Sequence, residues 1–170
     1  FAAQLIEYPE QIAPFRGQPV VLVSSPALLK RIADDAVLAI PAWVFSSGGP
    51  LDEQVSLQIG ERWQTPVWEI FGSTETGGVA VRNRQLQTDW TLMPGVAAQI
   101  AADGQLQIES PFAADGSQMM GDRAEWTGDR QLRLLDRVDR IVKLEEKRIS
   151  LTAVESRLRE HPQVVTAYAL

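Results

Sequence analysis

Three short apolar runs, rich in β-branched and aromatic residues, alternate with segments of helical spacing, and this alternation limits the possible folds most strongly. The runs cover residues 20–23, 43–45 and 67–71. Strands that alternate with helical segments are typical of βαβ units, in which a helix crosses the sheet and the strands lie parallel. The sequence therefore predicts an α/β fold, with a mainly parallel sheet and helical crossovers over residues 1–87.

Both predicted crossover helices have a recognisable start. Ser25 can accept hydrogen bonds from free backbone N–H groups, and Pro26 supplies the φ of a first helical turn. The second helix is expected to begin near Asp52 and Glu53, because carboxylates favour the positive end of the helix dipole. Gly60 is the expected end of this second helix.

The pattern changes at about residue 88 to short extended runs. Residues 96–100 and 106–108 flank Asp103-Gly104, a favoured two-residue hairpin turn. We therefore expect a small antiparallel β unit over residues 88–136. A charged connection at 137–140 then leads to residues 141–170, which are expected to start a small α+β domain with a hairpin and a helix at 151–160.

The end of the sequence predicts one capped helix and one strand. Thr152 and Glu155 fit a capping box, and a buried face is expected from Leu151, Val154 and Leu158. Residues 164–170 look like an unfinished strand, and Phe1 is no start methionine, so both ends of the chain look cut. An open strand edge can pair with a neighbour, which predicts association between copies.

Composition excludes several classes of protein. The net charge is −6 without a dense cluster of Lys and Arg, so nucleic acid is not an expected partner. No apolar run approaches the roughly 20 residues of a membrane span, and no signal peptide is recognisable, which predicts a cytoplasmic protein. The absence of cysteine excludes disulfides and thiolate metal sites, and the single His161 argues against a histidine-rich metal site. His161, at a predicted helix end before Pro162, is interpreted as structural.

Two glycine-bearing loops directly follow predicted strands. Residues 46–50 follow the second strand, and residues 71–78 follow the third. Because the carboxyl ends of parallel strands meet at one edge of a sheet, the two loops are expected to lie side by side there. Glycines let the backbone approach a phosphate, hydroxyls donate to it, and a carboxylate can bind magnesium. A polar turn without a ligand stays open as the alternative for each loop.

Four segments in order resemble the motifs of the adenylate-forming enzymes, the superfamily of acyl-CoA synthetases and AMP-dependent ligases. Residues 71–75 (Phe-Gly-Ser-Thr-Glu) resemble its fifth core motif, and residues 47–51 (Ser-Gly-Gly-Pro-Leu) resemble its adenine loop. Residues 121–122 (Gly-Asp) and 137–139 (Arg-Val-Asp) resemble two later motifs at the usual spacing. The resemblance covers most of the chain and implies an ATP or AMP site.

The resemblance implies a role for each matching residue of the two loops. Phe71 would stack on or flank adenine, Thr74 would contact the α-phosphate, and Glu75 would bind Mg²⁺. Thr74 and Glu75 are thereby expected to act in catalysis. The residues implied to line the nucleotide site in addition are Gly48, Gly49, Pro50, Gly72 and Ser73.

The later motifs imply ribose contacts and a hinge. Asp122 would accept hydrogen bonds from the ribose hydroxyls, and Arg137 would touch ribose or phosphate. Asp139 would be the catalytic hinge about which the small C-terminal domain rotates, with a solvated surface charge as the alternative. Asp129 lies in a second Gly-Asp-Arg triplet. The spacing to Arg137 favours Asp122 over Asp129.

The implied activity is that of an ATP-dependent acid–thiol ligase. Such an enzyme forms an acyl-adenylate from ATP and a carboxylic acid, fatty acids among them, and passes the acyl group to coenzyme A or to the pantetheine of an acyl carrier protein. A non-catalytic nucleotide-binding or scaffolding module is the first alternative. An α/β interaction domain with accidental motif matches is the second.

The chain departs from the family pattern in two ways. It lacks the glycine-rich phosphate loop with its lysine, and no lysine follows Lys147. A lysine that stabilises the charge developing on the α-phosphoryl group in the transition state contributes orders of magnitude to the rate of adenylation. This piece alone is therefore expected to be inactive. In addition, Glu146 stands where many relatives have a glycine beside the pantetheine tunnel, so the resemblance leaves open whether coenzyme A or a carrier protein is the acceptor.

Overall fold

The structure is a computed structural model that describes residues 3–34, 39–113, 115–144, 147–164 and 167–169. The strands of this part are β1 Val21–Ser24, β2 Trp43–Ser46, β3 Val67–Ser73, β4 Gly77–Arg82, β5 Trp90–Leu92, β6 Ala97–Ile100, β7 Gln105–Glu109, β8 Ser117–Gly128, β9 Gln131–Arg137, β10 Ile141–Leu144 and β11 Lys147–Ser150. The helices are α1 Pro26–Asp34, α2 Glu53–Trp63 and α3 Leu151–Arg159. Two 3-10 segments, Pro9–Phe15 and Val138–Arg140, complete the described elements.

Nine of the described strands form one mixed sheet in the order β1-β2-β3-β4-β5-β9-β8-β7-β6. The first three strands are parallel, and every later pairing is antiparallel. The predicted α/β class is confirmed, although the parallel part is limited to β1–β3. The sheet becomes antiparallel at β4 because a short turn reverses the chain directly after β3. The separate hairpin β10–β11 forms as predicted.

Two helix starts predicted from the sequence are confirmed. The amide of Leu28 donates to the Ser25 hydroxyl at 3.4 Å at the start of α1. At the start of α2, Asp52 Oδ1 accepts from the amides of Gln54 at 2.9 Å and Val55 at 3.2 Å. Both caps satisfy backbone groups that would otherwise lack partners, so local sequence alone positions these two helices after the strands.

The predicted end of α2 at Gly60 is wrong. The helix continues to Trp63, and Gln64 ends it in the left-handed conformation with φ 51°. Gly60 is buried inside the helix, where an added Cβ would overlap the side-chain amide of Gln85. Close packing against a distant residue therefore explains this glycine, and not a helix cap.

Two hydrophobic clusters hold the sheet. In the first, α1 and α2 cover one face of β1–β3, with Leu29, Ile32 and Ile59 among the fully buried residues. The second lies between the antiparallel strands and includes Leu106 and Leu132. In the described residues, no helix has the length and apolar character needed to cross a membrane.

The predictions for α3 need correction. Ser150, and not Thr152, caps the helix, since the amide of Ala153 donates to its hydroxyl at 3.0 Å. Val154 and Leu158 are exposed, whereas Glu155 is buried. The reason is that Glu155 pairs with Arg140 from the preceding 3-10 segment, which turns that side of the helix inward.

The predicted strand over residues 164–170 falls partly outside the described residues. Val164 and residues 167–169 are described, and they are not in a strand. The amide of Ala169 instead donates to Glu155 Oε1 at 2.8 Å. This part of the segment therefore packs back against α3. Glu146 also lies outside the described residues, and the domain limits at 136 and 141 stay a prediction.

Candidate functional site

A cleft of about 1020 Å³ opens where β2 and β3 end. Residues 48–50 follow β2, and residues 71–75 form the end of β3 and its turn. Both segments line the cleft, together with residues 118–122 of β8 and 133–137 of β9. Because β2 and β3 are parallel, their carboxyl ends meet at this edge. The structure thus brings the two glycine-bearing loops to one cavity.

Nearly all the residues that the sequence assigned to a nucleotide site line this cleft. They are Gly48, Gly49, Pro50, Phe71, Gly72, Ser73, Thr74, Glu75, Asp122 and Arg137. The side chain of Asp139 lies outside the described part of the structure, so its hinge role stays a prediction. The structure shows that the other assigned residues lie around one cleft. The role of each of these residues remains a prediction.

Two hydroxyls lock the turn between β3 and β4. The hydroxyl oxygens of Ser73 and Thr76 are 3.1 Å apart. The Ser73 amide donates to the Thr76 hydroxyl at 3.2 Å, and the Thr76 amide donates to the Ser73 hydroxyl at 3.3 Å. Thr76 is fully buried. The Ser73 hydroxyl therefore organises the turn, which leaves Thr74 and Glu75 exposed at its tip. Sequence reasoning missed Thr76, although hydroxyl residues three positions apart often form such local hydrogen bonds.

Glycine at position 72 allows the turn to be this tight. An added Cβ would overlap the carbonyl oxygen of Gly77 and lie 3.2 Å from the Cα of Gly78. Gly77 itself has φ +65°, a conformation that glycine adopts without strain. The small residues of this segment are thus required by the close approach of β3 and β4.

Glu75 is an exposed carboxylate with a lowered pKa. A hydrogen bond with the Ser73 hydroxyl is the main cause, followed by the Glu75 backbone amide and the Thr74 hydroxyl. The side chain is therefore ionised at neutral pH. Among the described residues, no group of three His, Asp or Glu side chains could hold a metal ion. Mg²⁺ commonly binds one or two carboxylates and completes its coordination with water and substrate phosphates, and Glu75 fits that chemistry.

An aromatic pair forms one wall of the cleft. The rings of Phe71 and Trp90 lie 5.7 Å apart at 55°. The guanidinium of Arg82 lies 4.2 Å from the centre of the Trp90 ring. These contacts hold Phe71 half-buried at the cleft, where a planar base could pack on it. Trp90 lies outside the four motifs, and sequence reasoning assigned it no role at the site.

Asp122 and Arg137 are cross-strand partners on β8 and β9. Arg137 Nη1 lies 3.1 Å from Asp122 Oδ2. Gly121 admits this geometry, since an added Cβ would lie only 2.7 Å from Arg137 Nη2. Asp129 lies in the turn between the two strands, outside the lining of the cleft. The structure therefore places Asp122, and not Asp129, beside the two loops.

Below the loop, a buried ion-pair network connects three elements. Glu69 of β3 accepts from Arg82 at 2.8 Å and from Arg84 at 2.7 Å. Arg84 also donates to the carbonyl of Leu51, just before α2, at 3.2 Å. The network fixes β4 and the start of α2 against β3, two residues before Phe71. Sequence reasoning missed it, although a carboxylate within an apolar strand was its signal.

The α3 side supplies a further wall of the cleft. Its lining residues are Arg140, Thr152, Glu155, Arg159 and Tyr168. A hydrogen bond from the Ala169 amide is the main cause that lowers the pKa of Glu155, with further contributions from Arg140 and Arg159 and an opposing one from burial.

His161 is outside this lining, and its Nδ1 accepts a hydrogen bond from the amide of Gln163 at 3.3 Å, in agreement with its structural interpretation.

The lowered pKa of Glu155 predicts a pH-dependent stability. Because the carboxylate is favoured in the folded state, its contribution is present above the ordinary value of 4.5 and is lost as the pH falls through the lower folded value. We expect Glu155→Gln to lower the melting temperature at pH 7. Once the pH is below the pKa of Glu155 in the folded state, the melting temperatures of the variant and of the unsubstituted chain should be equal. Thermal unfolding between pH 7 and pH 3 measures both. Glu160→Gln, which removes the carboxylate paired with exposed Arg157, is the control and should show no such convergence.

Comparison with known proteins gives structural matches only. No protein-family model matches the sequence, and neither does any curated protein. An AMP-forming acyl-CoA synthetase/AMP-acid ligase II-like protein from Dyadobacter fermentans matches 88% of this chain and 45% of its own, with a TM-score of 0.64 and 20% identity. The amide bond synthetase McbA from Marinactinospora thermotolerans matches 86% of this chain and 38% of its own, with a TM-score of 0.70 and 21% identity.

A third match, an ATP-bound RpMatB-BxBclM chimera, covers 94% of this chain and 39% of its own, with a TM-score of 0.77 and 18% identity. The chain thus spans less than half the length of each of these proteins. At these identities the likeness establishes the fold. The chain therefore has the fold of one part of the AMP-forming ligases, the adenylate-forming enzymes that its sequence motifs resemble.

Proposed function

We propose that this chain is the nucleotide-binding and hinge part of an AMP-forming acid–thiol ligase. The observation that carries the proposal is the single cleft shared by residues 48–50, residues 71–75 and the Asp122–Arg137 pair. Segments that lie far apart in the sequence, and that were selected by motif alone, meet in one cavity. The structural likeness to AMP-forming ligases supports the same reaction class.

In the first half-reaction, a carboxylate oxygen of the acid attacks the α-phosphorus of ATP, and the bond to the bridging oxygen of pyrophosphate breaks. Phe71 flanks the adenine, and residues 48–50 line its pocket. Asp122 accepts hydrogen bonds from the ribose hydroxyls, with its carboxylate oriented by Arg137. Thr74, exposed at the tip of the turn, donates to the α-phosphate. Bound Mg²⁺, held by Glu75, would neutralise charge on the phosphates.

In the second half-reaction, a thiol attacks the carbonyl carbon of the acyl-adenylate, and AMP leaves. The thiol belongs to coenzyme A or to the pantetheine of a carrier protein, and the acid is a carboxylic acid, fatty acids among them. Asp139 lies in the 3-10 segment Val138–Arg140, between the nine-stranded sheet and the β10–β11 hairpin. A hinge at this point would let the C-terminal part change position between the two steps.

For the 170-residue chain by itself, we propose weak and magnesium-dependent nucleotide binding without adenylation. No lysine lines the cleft among the described residues, and none follows Lys147 in the sequence. The same observation favours the second candidate function, a module that binds nucleotide without catalysis. Exchange of labelled pyrophosphate into ATP separates the two: a longer protein containing this chain should catalyse it if it is a ligase.

Asp122→Asn is expected to weaken nucleotide binding about tenfold or more. A hydrogen bond to a charged group contributes roughly 1.5–3 kcal/mol, and 1.4 kcal/mol is a factor of about ten in affinity. NMR titration with ATP and Mg²⁺ measures dissociation constants in the weak range expected for this chain. Asp129→Asn is the matched control, because Asp129 stands in a second Gly-Asp-Arg triplet that does not line the cleft. Equal effects of the two substitutions would contradict the proposed site.

A further inference from the structure

The α3 wall of the cleft carries a cation that the proposed nucleotide roles leave unused. Arg159, at the end of α3, lines the same cavity as residues 71–75. We propose that Arg159 binds the phosphate chain of the nucleotide, so that α3 closes the phosphate end of the cleft. This inference rests on the proposed function, which it deepens by adding a phosphate-binding residue from the C-terminal part of the chain.

Arg159 differs from the other arginines of the cleft in its surroundings. Four arginines that line the cleft have a carboxylate partner within ion-pair distance. These pairs are Arg82–Glu69, Arg133–Asp89, Arg137–Asp122 and Arg140–Glu155. Within the described ranges, Arg159 makes no hydrogen bond and no close ion pair, although its charge acts on the Glu155 carboxylate one helical turn earlier. The neighbouring Glu155 carboxylate is already engaged by Arg140 and by the Ala169 amide.

The charge of the cleft lining differs from that of the chain as a whole. The chain as a whole has a net charge of −6. The cleft lining, by contrast, has five arginines against four carboxylates, those of Glu75, Asp122, Asp136 and Glu155. Glu69 and Asp89 pair with Arg82 and Arg133 from outside the lining, so most of these charges are balanced locally, and Arg159 is left as a cation without an ion-pair partner among the described residues.

The chemistry of the guanidinium selects phosphate as the ligand class. Its planar set of N–H donors matches two phosphate oxygens, and it keeps its charge at all relevant pH values. A structural role at the helix end is the alternative, since cations in the last turn favour the helix dipole. That role applies equally to Arg157, which is also in the last turn of α3 but pairs with Glu160 and is absent from the cleft lining.

The experiment compares Arg159→Gln with Arg157→Gln in the full 170-residue chain. NMR titrations with inorganic pyrophosphate, with ATP and with adenosine, each in the presence of Mg²⁺, give three dissociation constants per variant. We expect Arg159→Gln to weaken pyrophosphate and ATP binding at least about fivefold and to leave adenosine binding unchanged. Arg157→Gln should leave all three constants unchanged. Arg159→Lys keeps the charge and should retain part of the pyrophosphate affinity. If Arg159→Gln does not fold, Arg159→Lys is compared with Arg157→Gln in its place.

The outcomes separate this inference from the proposed function. If adenosine and ATP bind but Arg159→Gln and Arg157→Gln behave alike, the inference is overturned and the nucleotide site stands. If adenosine and ATP do not bind while pyrophosphate binding depends on Arg159 alone, the anion site is supported and the nucleotide site is contradicted. Equal weakening by both glutamine variants would indicate a general charge effect, and would also overturn the inference.

Discussion

Glu69→Gln is expected to destabilise the fold by about 3–5 kcal/mol, the usual cost of removing one partner from a buried ion pair. The Glu69 side chain is only 4% exposed, and its two oxygens are taken by Arg82 and Arg84. An amide in its place leaves the Arg82 guanidinium without this countercharge and leaves Arg84 with its longer, exposed pair to Glu53. Urea unfolding followed by circular dichroism measures the change in free energy.

Glu53→Gln is the matched control because Glu53 pairs with the same Arg84. That pair is longer, at 3.4 Å, and the Glu53 side chain is 63% exposed. An exposed ion pair contributes at most about 1 kcal/mol, so the control should change the free energy of unfolding by less than that. If Glu69→Gln costs no more than Glu53→Gln, Glu69 does not hold β3, β4 and α2 together in the way described.

Gly72→Ala is expected to destabilise the chain by about 1–3 kcal/mol, the usual range for an overpacked site, and to abolish nucleotide binding. The new Cβ would overlap the backbone of Gly77, which cannot rotate away as a side chain can. The β3–β4 turn must then open, and the hydrogen bonds between Ser73 and Thr76 are lost. Urea unfolding and an ATP titration by NMR test the two parts.

Gly49→Ala serves as the control for stability. At Gly49 an added Cβ would lie 3.8 Å from Pro26 Cγ, an ordinary van der Waals contact. This substitution should change the free energy of unfolding by less than about 0.5 kcal/mol. A Gly72→Ala chain as stable as the Gly49→Ala chain would show that β3 and β4 do not approach as closely as the structure has them.

Local sequence predicted the features that depend on neighbouring residues. The Ser25 cap, the helix start at Asp52 and the β10–β11 hairpin are all present. The hairpin at Asp103-Gly104 is present too, but its turn is longer than the predicted two residues, since the Gly104 amide donates to the Ala101 carbonyl at 2.8 Å. Each requires only a side chain and a backbone group a few residues apart. The meeting of the two glycine-bearing loops was also predictable, because it follows from the parallel order of β2 and β3 alone.

Predictions that assumed a local cause failed where a distant residue was the cause. Gly60 looked like a helix end, but it is buried inside α2 against Gln85. Glu155 looked like part of a capping box, but it pairs with Arg140 and turns away the face that carries Val154 and Leu158. In both cases the residue that makes the contact, Gln85 or Arg140, lies outside the helix, where periodicity gives no information.

The sequence by itself determined the strands and helices of the α/β part, the two loops and the order of the four motifs, since all of these depend on short-range patterns. Only the tertiary structure decided that Glu69 joins three elements, that Trp90 supports Phe71, and that α3 brings Arg159 to the cleft. The physical reason is that these contacts join residues far apart in the chain. Their energy depends on burial and on distances that exist only once the sheet has formed.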